Sequence, residues 1–214
     1  MYSKITRIVS RISGKAFVGA TLNRNEDWIT INVNFTRDVF GGAAAIRAWN
    51  PLLRPIGKYF VPEIRRIWVH NSKAVEYIGA IIKQRVKEEE ADGYEKPNDA
   101  IEWVRDYLPT NRKNDIRLAA LTSLALGATS VHTTSQMILN VLYDLAARPE
   151  YIELLREEVA DALKLSNNEW NQDTVNSFIK MDSFIKESQR FSAAVSMLFV
   201  QHLFSFLFFF KLIE

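Results

Sequence analysis

The sequence predicts an all-α protein, and two segments carry most of that prediction. Residues 62–92 place apolar side chains at a regular 3.6-residue spacing, which Gly93 ends. Residues 115–147 are apolar on every face and contain no Asp, Glu, Lys or Arg between Arg117 and Asp144, a pattern typical of a helix buried in the middle of a protein. No segment predicts a strand.

The composition bounds both the size of the core and the class of function. With 214 residues, of which 48% are apolar, the chain can bury the core of one or two domains. Its 27 basic and 25 acidic residues nearly cancel, which argues against a nucleic-acid partner. The sequence contains no cysteine, so these residues can provide no disulfide, zinc–thiolate site or cysteine nucleophile.

Two helices are predicted before the segment at residues 62–92. Residues 1–15 form a basic amphipathic helix, which is typical either of an organellar transit peptide or of the surface helix of a domain. The second helix covers Asp27–Ala48, where Gly41 and Gly42 weaken its latter part.

The connection Trp49–Pro62 is rich in proline, aromatic residues and cations, and is too irregular for a helix. Such a loop either packs onto a core or dips into a membrane interface. Pro62 suits the first position of the helix that follows. Further along, Asn98 or Asp99 caps a short helix that Pro109 ends.

The C-terminal part predicts two more helices and then changes character. One helix begins near Pro149, a polar loop follows over Ser166–Thr174, and the last helix covers Asp182–Phe191. Of the 13 phenylalanines, six lie within residues 199–210. This apolar tail is either a membrane-associated segment or not the natural continuation of the gene.

The middle of the long helix carries a polar cluster made of Thr129, Ser130, His132, Thr133, Thr134, Ser135 and Gln136. Hydroxyls in a buried helix usually bond back to the carbonyl one turn earlier. The cluster is therefore either a satisfied core network or the one place in the sequence built for chemistry.

The string LAARPEYIELLREEV, after a helix centred on HTTS and before KMDSFIKESQR, resembles the I, J and K helices of a cytochrome P450. The nearest likeness is to the filamentous-fungal branch that oxidises terpenoid and indole-terpenoid metabolites. The resemblance covers residues 12–191 and implies the central part of that all-α fold, from the E to the K helices. It implies a partial domain over residues 1–191, truncated at both ends, that lacks the sheets and the haem-ligand loop, with residues 192–214 as a separate apolar tail, possibly a read-through.

The resemblance also implies roles for individual residues. Thr133 matches the alcohol that the family uses in proton delivery during oxygen activation, and His132 stands where the family usually has an acid. Glu187 and Arg190 match a pair that joins a buried ion network bracing the haem-binding core. The implied cofactor-site residues are Ala128, Thr129, Thr133, Glu187 and Arg190.

The function implied is that of a haem-thiolate monooxygenase acting on a lipophilic, terpenoid-like metabolite. Electrons would come from an NADPH-cytochrome reductase, and the full-length family member would sit at the endoplasmic reticulum membrane. Because the family holds its iron through a cysteine, this chain alone is expected to be inactive, and no metal ligand is assigned to it. The alternatives are a non-catalytic helical interaction fragment and, less favoured, a terpene cyclase, for which the aspartate-rich magnesium motif is missing.

Overall fold

A computed structural model describes residues 1–91 and 93–192. All regular structure in these residues is helical, as the sequence predicts, and none of it is strand. Residues 1–135 and residues 136–192 form two compact units, called here the first and the second unit and described separately. The helices are α1 (Tyr2–Leu22), α2 (Glu26–Arg47), α3 (Arg54–Gly57), α4 (Pro62–Glu88), α5 (Ala100–Tyr107), α6 (Ile116–Ala147), α7 (Glu150–Leu165), α8 (Gln172–Asn176) and α9 (Ile179–Phe191).

Helix α1 continues beyond the predicted residue 15 to Leu22 and is broken at Gly19. Gly19 has φ 81° and ψ 173°, a backbone conformation that L side chains rarely adopt. A β-carbon at Gly19 would lie 2.8 Å from Asp99 Oδ2. The break thus lets the backbone of α1 pass close to the start of α5.

Helices α2 and α4 pack against each other and form most of the core of the first unit. The Asn25 side chain caps α2 by accepting a hydrogen bond from Trp28 N, and α2 runs through Gly41 and Gly42 to Arg47. Pro62 occupies the first turn of α4, as predicted. The core side chains come from five helices and include Val18, Trp28, Phe35, Ile67, Ile78, Ile101 and Leu124.

The predicted irregular connection contains two short helical turns. A 3₁₀ turn covers Pro51–Leu53 and leads into α3, and Trp49 packs against Gly57. Leu52 and Phe60 remain 87% and 69% exposed. Therefore only part of this segment packs onto the core, and its apolar tip faces outward.

An ion network of buried side chains joins the end of α4 to α5. Arg85 Nη1 donates to Asp99 Oδ1 at 2.9 Å and to Glu102 Oε2 at 3.2 Å, while Arg105 Nη1 donates to Glu102 Oε2 at 2.8 Å. All four side chains are at most 7% exposed. Burial alone lowers the pKa of Arg85, but its hydrogen bonds to the two carboxylates more than offset this and raise the pKa above the usual value.

Asp99 is also the N-cap of α5, because its Oδ1 accepts a hydrogen bond from Glu102 N at 3.1 Å. The sequence left Asn98 and Asp99 as alternatives, and the structure selects Asp99. The Asn98 side chain instead accepts a hydrogen bond from Trp103 Nε1.

A second polar contact holds α2 to α4. Asp38 on α2 is buried, and its oxygens accept hydrogen bonds from Arg66 Nε at 3.0 Å and lie 2.9 Å from His70 Nε2. Burial alone raises the pKa of Asp38, but the hydrogen bonds with Arg66 and His70 outweigh it and leave the pKa below its usual value.

Helix α6 matches the long helix predicted over residues 115–147. Asp115 Oδ1 accepts a hydrogen bond from Leu118 N at its start. Its 32 residues span roughly 48 Å at about 1.5 Å per residue. Residues 116–135 belong to the first unit, where Ala119, Ala120 and Leu124 join the core, and the remainder belongs to the second unit.

The second unit contains α7, α8 and α9. The predicted loop Ser166–Thr174 is wrong in part, because Asn171 Oδ1 accepts a hydrogen bond from Thr174 N and starts the short helix α8. Helix α9 begins at Ile179, three residues before the predicted start, where Glu158 accepts hydrogen bonds from Lys180 N and Met181 N. The predicted apolar tail lies beyond Ser192, outside the described residues.

We expect Arg85→Met to destabilise the protein by about 3–5 kcal/mol, because it leaves the buried carboxylates of Asp99 and Glu102 short of a cation. Urea denaturation measures this change. Arg156→Met is the matched control, since Arg156 pairs with Glu153 on the surface, where both side chains are more than 70% exposed. Equal stability of the two variants would contradict a structural role for the network.

Asp38 should make stability depend on acid pH. Because its pKa is lower in the folded than in the unfolded protein, its contribution is fully present above the unfolded value of about 3.9 and is lost as the pH falls through the folded pKa. We therefore expect Asp38→Asn to be less stable than the parent at pH 7 and to lose less stability below about pH 4. Denaturation series at several pH values measure both slopes, and parallel slopes would refute the prediction.

Candidate functional site

One face of α6 in the first unit is accessible, and the opposite face is buried. The face consists of Thr122, Leu126, Thr129 and Thr133, which recur at three- and four-residue spacing and are exposed or half-buried. We call these four residues the accessible stripe. On the buried side, Leu124 and Val131 are at most 1% exposed. The helix therefore presents a narrow row of hydroxyls and one leucine, backed by an apolar core.

Two of the three threonine hydroxyls of the accessible stripe, those of Thr129 and Thr133, are held by their own helix. Thr129 Oγ1 donates to Ala125 O or Leu126 O, at 3.1 and 3.0 Å, and Thr133 Oγ1 donates to Thr129 O at 2.6 Å. These are the back-bonds expected for hydroxyls in a buried helix. Each hydroxyl has one hydrogen, so its lone pairs stay available as hydrogen-bond acceptors for a ligand or a water.

His132 points toward α1 and α2 and not along the accessible stripe. Its Nε2 lies 3.0 Å from Val33 O, and its Nδ1 lies 2.8 Å from the Tyr2 hydroxyl. Because a carbonyl can only accept, Nε2 carries the hydrogen, and in the neutral imidazole Nδ1 accepts the Tyr2 hydrogen. His132 and Thr133 therefore have separate sets of partners, and the shared proton route suggested by the resemblance stays a prediction.

Ala128 is buried, with 7% of its surface exposed, and belongs to the core cluster that includes α2 and α4. The structure thus places it among apolar side chains of the first unit. Thr129, the next residue, is exposed on the accessible stripe. Of the cofactor-site residues predicted in α6, Thr129 and Thr133 share a face and Ala128 does not.

Glu187 and Arg190 lie on α9 in the second unit and form a two-point ion pair. Arg190 Nε and Nη2 donate to the two Glu187 oxygens at 2.8 and 2.7 Å. Their side chains are 53% and 64% exposed, and the Arg190 guanidinium lies 4.3 Å from the centre of the Phe191 ring. The hydrogen bond from Arg190 lowers the pKa of Glu187. The pair predicted from the sequence exists, while its place in a buried network stays a prediction.

Sequence reasoning missed a contact that fixes α6 against α2. A β-carbon at Gly127 would lie 1.9 Å from Asn32 Oδ1 and 2.4 Å from Asn32 Cγ, so the carboxamide of Asn32 occupies the space that a side chain would need. Asn32 is 2% exposed. An isolated glycine inside an otherwise apolar helical pattern was the available signal, because such a glycine usually has a packing reason.

Histidine, aspartate and glutamate side chains of the described residues nowhere converge in threes as a metal site would require. In the same part of the chain, no helix combines the length and the apolar character needed to cross a bilayer.

Comparison with known proteins gives a consistent family. Residues 1–205 match the model of the family described as Cytochrome P450. The chain is 43% identical over 190 residues to cytochrome P450 monooxygenase BOA4 of Botryotinia fuckeliana, covering 89% of this chain and 38% of that protein. It is 37% identical over 194 residues to cytochrome P450 monooxygenase braC of Annulohypoxylon truncatum, covering 90% and 38% of the two chains.

A third relative carries a more specific name. The chain is 35% identical over 190 residues to ent-kaurene oxidase P450-4 of Gibberella fujikuroi, covering 89% of this chain and 36% of that protein. The chain thus spans less than two fifths of the length of each of these three relatives.

Gly127→Ala should destabilise the protein by about 1–3 kcal/mol despite the better helix propensity of alanine, because the new methyl group overlaps the Asn32 carboxamide. In an Asn32→Ala background the same change should cost much less, since the β-carbon then has room. Chemical denaturation of the four proteins measures the coupling. Gly79→Ala is the control. The β-carbon that this change adds would lie 3.3 Å from its nearest neighbour, Ile116 Cγ2, and so would not overlap it as the one at Gly127 overlaps Asn32. Additive effects at Gly127 and Asn32 would contradict the contact.

Proposed function

Because this chain belongs to the cytochrome P450 family, we propose that it forms the central part of a haem-thiolate monooxygenase that hydroxylates a lipophilic, terpenoid-like secondary metabolite. The observation that carries the proposal is the accessible stripe of α6, an uncharged face with three threonine hydroxyls on a helix whose opposite face is buried. Two of the relatives are fungal proteins named cytochrome P450 monooxygenases, and this chain covers 38% of the length of each.

The residues present could form part of the wall of a haem site, but they do not provide the thiolate that would hold the iron. The accessible stripe offers an uncharged face against which an apolar ring system could lie. A thiolate ligand needs a cysteine, and the sequence has none. The two described histidines are both engaged, His70 with Asp38 and His132 with Tyr2 and Val33. None of the described residues is therefore proposed as an iron ligand.

Thr129 and Thr133 would face the bound group, which in this family supplies the activation of dioxygen. Thr133 is the proposed positioning residue for protons. Its hydrogen is committed to Thr129 O, so it can only accept a hydrogen bond from a water placed beside it. A water fixed in this way directs its second hydrogen outward from the helix, which is the arrangement needed to pass a proton on.

The lipophilic character of the substrate is inferred from the same face. Leu126 and the methyl groups of the three threonines provide apolar contact, and no charged side chain stands on the accessible stripe. The name ent-kaurene oxidase belongs to a relative that is 35% identical, and it supports a terpenoid-like substrate for this chain. The family also implies a reductase as redox partner, for which we propose an NADPH-cytochrome reductase.

The exposed connection between α2 and α4 supports attachment to a membrane surface, and we place the full-length protein at the endoplasmic reticulum membrane. Leu52, Ile56 and Phe60 are all more than half exposed. Lys58 lies 5.5 Å above the Tyr59 ring. An exposed patch of apolar and aromatic side chains with an adjacent cation suits the boundary between lipid tails and headgroups.

A non-catalytic helical interaction fragment is the second candidate. A cleft of about 550 Å³ in the second unit favours it, because aromatic and leucine side chains line it and a partner could cover them. Gel filtration separates the two functions: a dedicated interaction module should elute as one discrete species, whereas part of an enzyme taken alone should elute as a mixture of monomer and larger species.

A chimaera tests the monooxygenase proposal. Residues 12–191 of this chain replace the aligned segment of the Botryotinia fuckeliana relative, which provides the remaining parts of the fold. We expect the chimaera to give the carbon monoxide difference spectrum of a haem thiolate, whereas the 214-residue chain alone should not. The proposal is that this chain provides the α6 face of the site and that other parts of the fold provide the thiolate. A haem-thiolate spectrum from the chain alone would overturn it, and so would a folded chimaera that gives no haem-thiolate spectrum.

Within that chimaera, Thr133→Ala should raise the ratio of peroxide released to product formed severalfold, because the water beside Thr133 loses its acceptor. Thr134→Ala is the matched control, since the neighbouring side chain projects about 100° further around the helix. Product analysis and peroxide assay measure the ratio. The same ratio in both variants would remove Thr133 from proton delivery.

The double variant Leu52→Ser/Phe60→Ser should bind lipid vesicles several times more weakly than the parent chain, because it removes the most exposed apolar groups of the connection. Flotation with phosphatidylcholine and phosphatidylinositol vesicles measures the bound fraction. Tyr107→Ser is the control, because Tyr107 is 91% exposed on a different surface. Unchanged flotation of the double variant would contradict membrane attachment through this segment.

A further inference from the structure

Two buried oxygens on one face of α2 have no hydrogen-bond partner among the described residues. They are Asn32 Oδ1 and Thr36 Oγ1, in residues that are 2% and 4% exposed. Asn32 faces α6, because its carboxamide lies against Gly127. Thr36 follows one turn later on the same face of α2, about 6 Å further along the helix axis.

The side chains of α6 near this contact cannot donate the missing hydrogen bonds. The Ser123 hydroxyl donates to Ala119 O at 2.8 Å, and the Ser135 hydroxyl donates to Val131 O at 2.6 Å. Both serines are at most 2% exposed, so their hydrogens are fixed within α6. Gly127, the residue nearest to Asn32, has no side chain. Neither of these serines therefore donates to Asn32 Oδ1 or Thr36 Oγ1.

We propose that a resident water molecule occupies the contact between α2 and α6 and bridges Asn32 Oδ1 and Thr36 Oγ1. Buried oxygens that lack a protein partner are typically satisfied by ordered water, which makes two to four hydrogen bonds. The water donates one hydrogen to the Asn32 carbonyl oxygen. With the Thr36 hydroxyl it forms a second hydrogen bond, in which either oxygen can be the donor. The span of one helical turn suits a single bridging molecule.

The water site explains why Asn32 lies opposite Gly127. The carboxamide needs the space above Gly127, and the water completes the hydrogen bonding that α6 cannot offer. The spacing of α2 and α6, and with it the position of the accessible stripe, then depends on a solvent molecule inside the protein. This inference is independent of the proposed function, because it uses only the packing of the two helices.

Thr36→Val tests the site, with Thr6→Val as the matched control. Both threonines are buried, but the Thr6 hydroxyl already donates to Tyr2 O at 2.9 Å. Oxygen-17 magnetic relaxation dispersion on the full chain counts water molecules with long residence times. We expect Thr36→Val to lose one such water and to melt at a lower temperature, and Thr6→Val to keep the full count.

If Thr36→Val keeps the water count and melts at the same or a higher temperature, the hydroxyl is simply unpaired and the proposal is overturned. If that variant does not fold, the parent chain decides the matter: cross-relaxation between water and the Thr36 methyl protons supports the site, and its absence rejects it.

Discussion

The first unit depends on the pairing of Arg85 with the carboxylates of Asp99 and Glu102. A guanidinium at the end of α4 cannot be buried alone, and neither can two carboxylates at the start of α5, so each group requires the other. Asp99 also caps α5 and occupies the space left by the missing side chain of Gly19. One cation thereby fixes the position of α5 and the break in α1, although these parts are distant in the sequence.

The same requirement, that every buried polar group find a partner, explains how α6 can be apolar and still carry many hydroxyls. Ser123, Thr133 and Ser135 direct their hydrogens to carbonyls of the preceding turn, so these hydroxyls need no acceptor from another helix. What distinguishes Thr129 and Thr133 from Ser123 and Ser135 is the face they occupy. The chemistry of the helix is decided by accessibility, because the local hydrogen bonding is alike on both faces.

Much of this organisation can be predicted from sequence, and the failures have physical reasons. The segment 115–147 predicted α6 almost to the residue, because its long run without charged side chains, between Arg117 and Asp144, favours a helix that packs against others. The accessible stripe shows, however, that this helix is not buried on every face, as its composition had suggested. Helix α8 was missed, since a five-residue helix depends on one capping side chain, Asn171, and has no periodicity to detect. The contact of Gly127 with Asn32 joins residues 95 positions apart, and no local pattern contains that information.

The candidate site likewise combines features that the sequence predicts with features that it does not. The three-residue spacing of Glu187 and Arg190 predicted their ion pair, because local geometry alone brings i and i+3 side chains together. The direction of His132 could not be predicted, since it depends on where Tyr2 and Val33 lie in the folded chain.

The hydrogen bond between Tyr2 and His132 has a further chemical property. A phenol is amphoteric: it donates to Nδ1 of the neutral imidazole, and after a simple rotation of its O–H it accepts from the same nitrogen when the ring is charged. Nε2 continues to donate to the Val33 carbonyl in both states. Both ring nitrogens of His132 thus keep a hydrogen-bond partner, and the partly exposed phenol lies between the imidazole and bulk solvent.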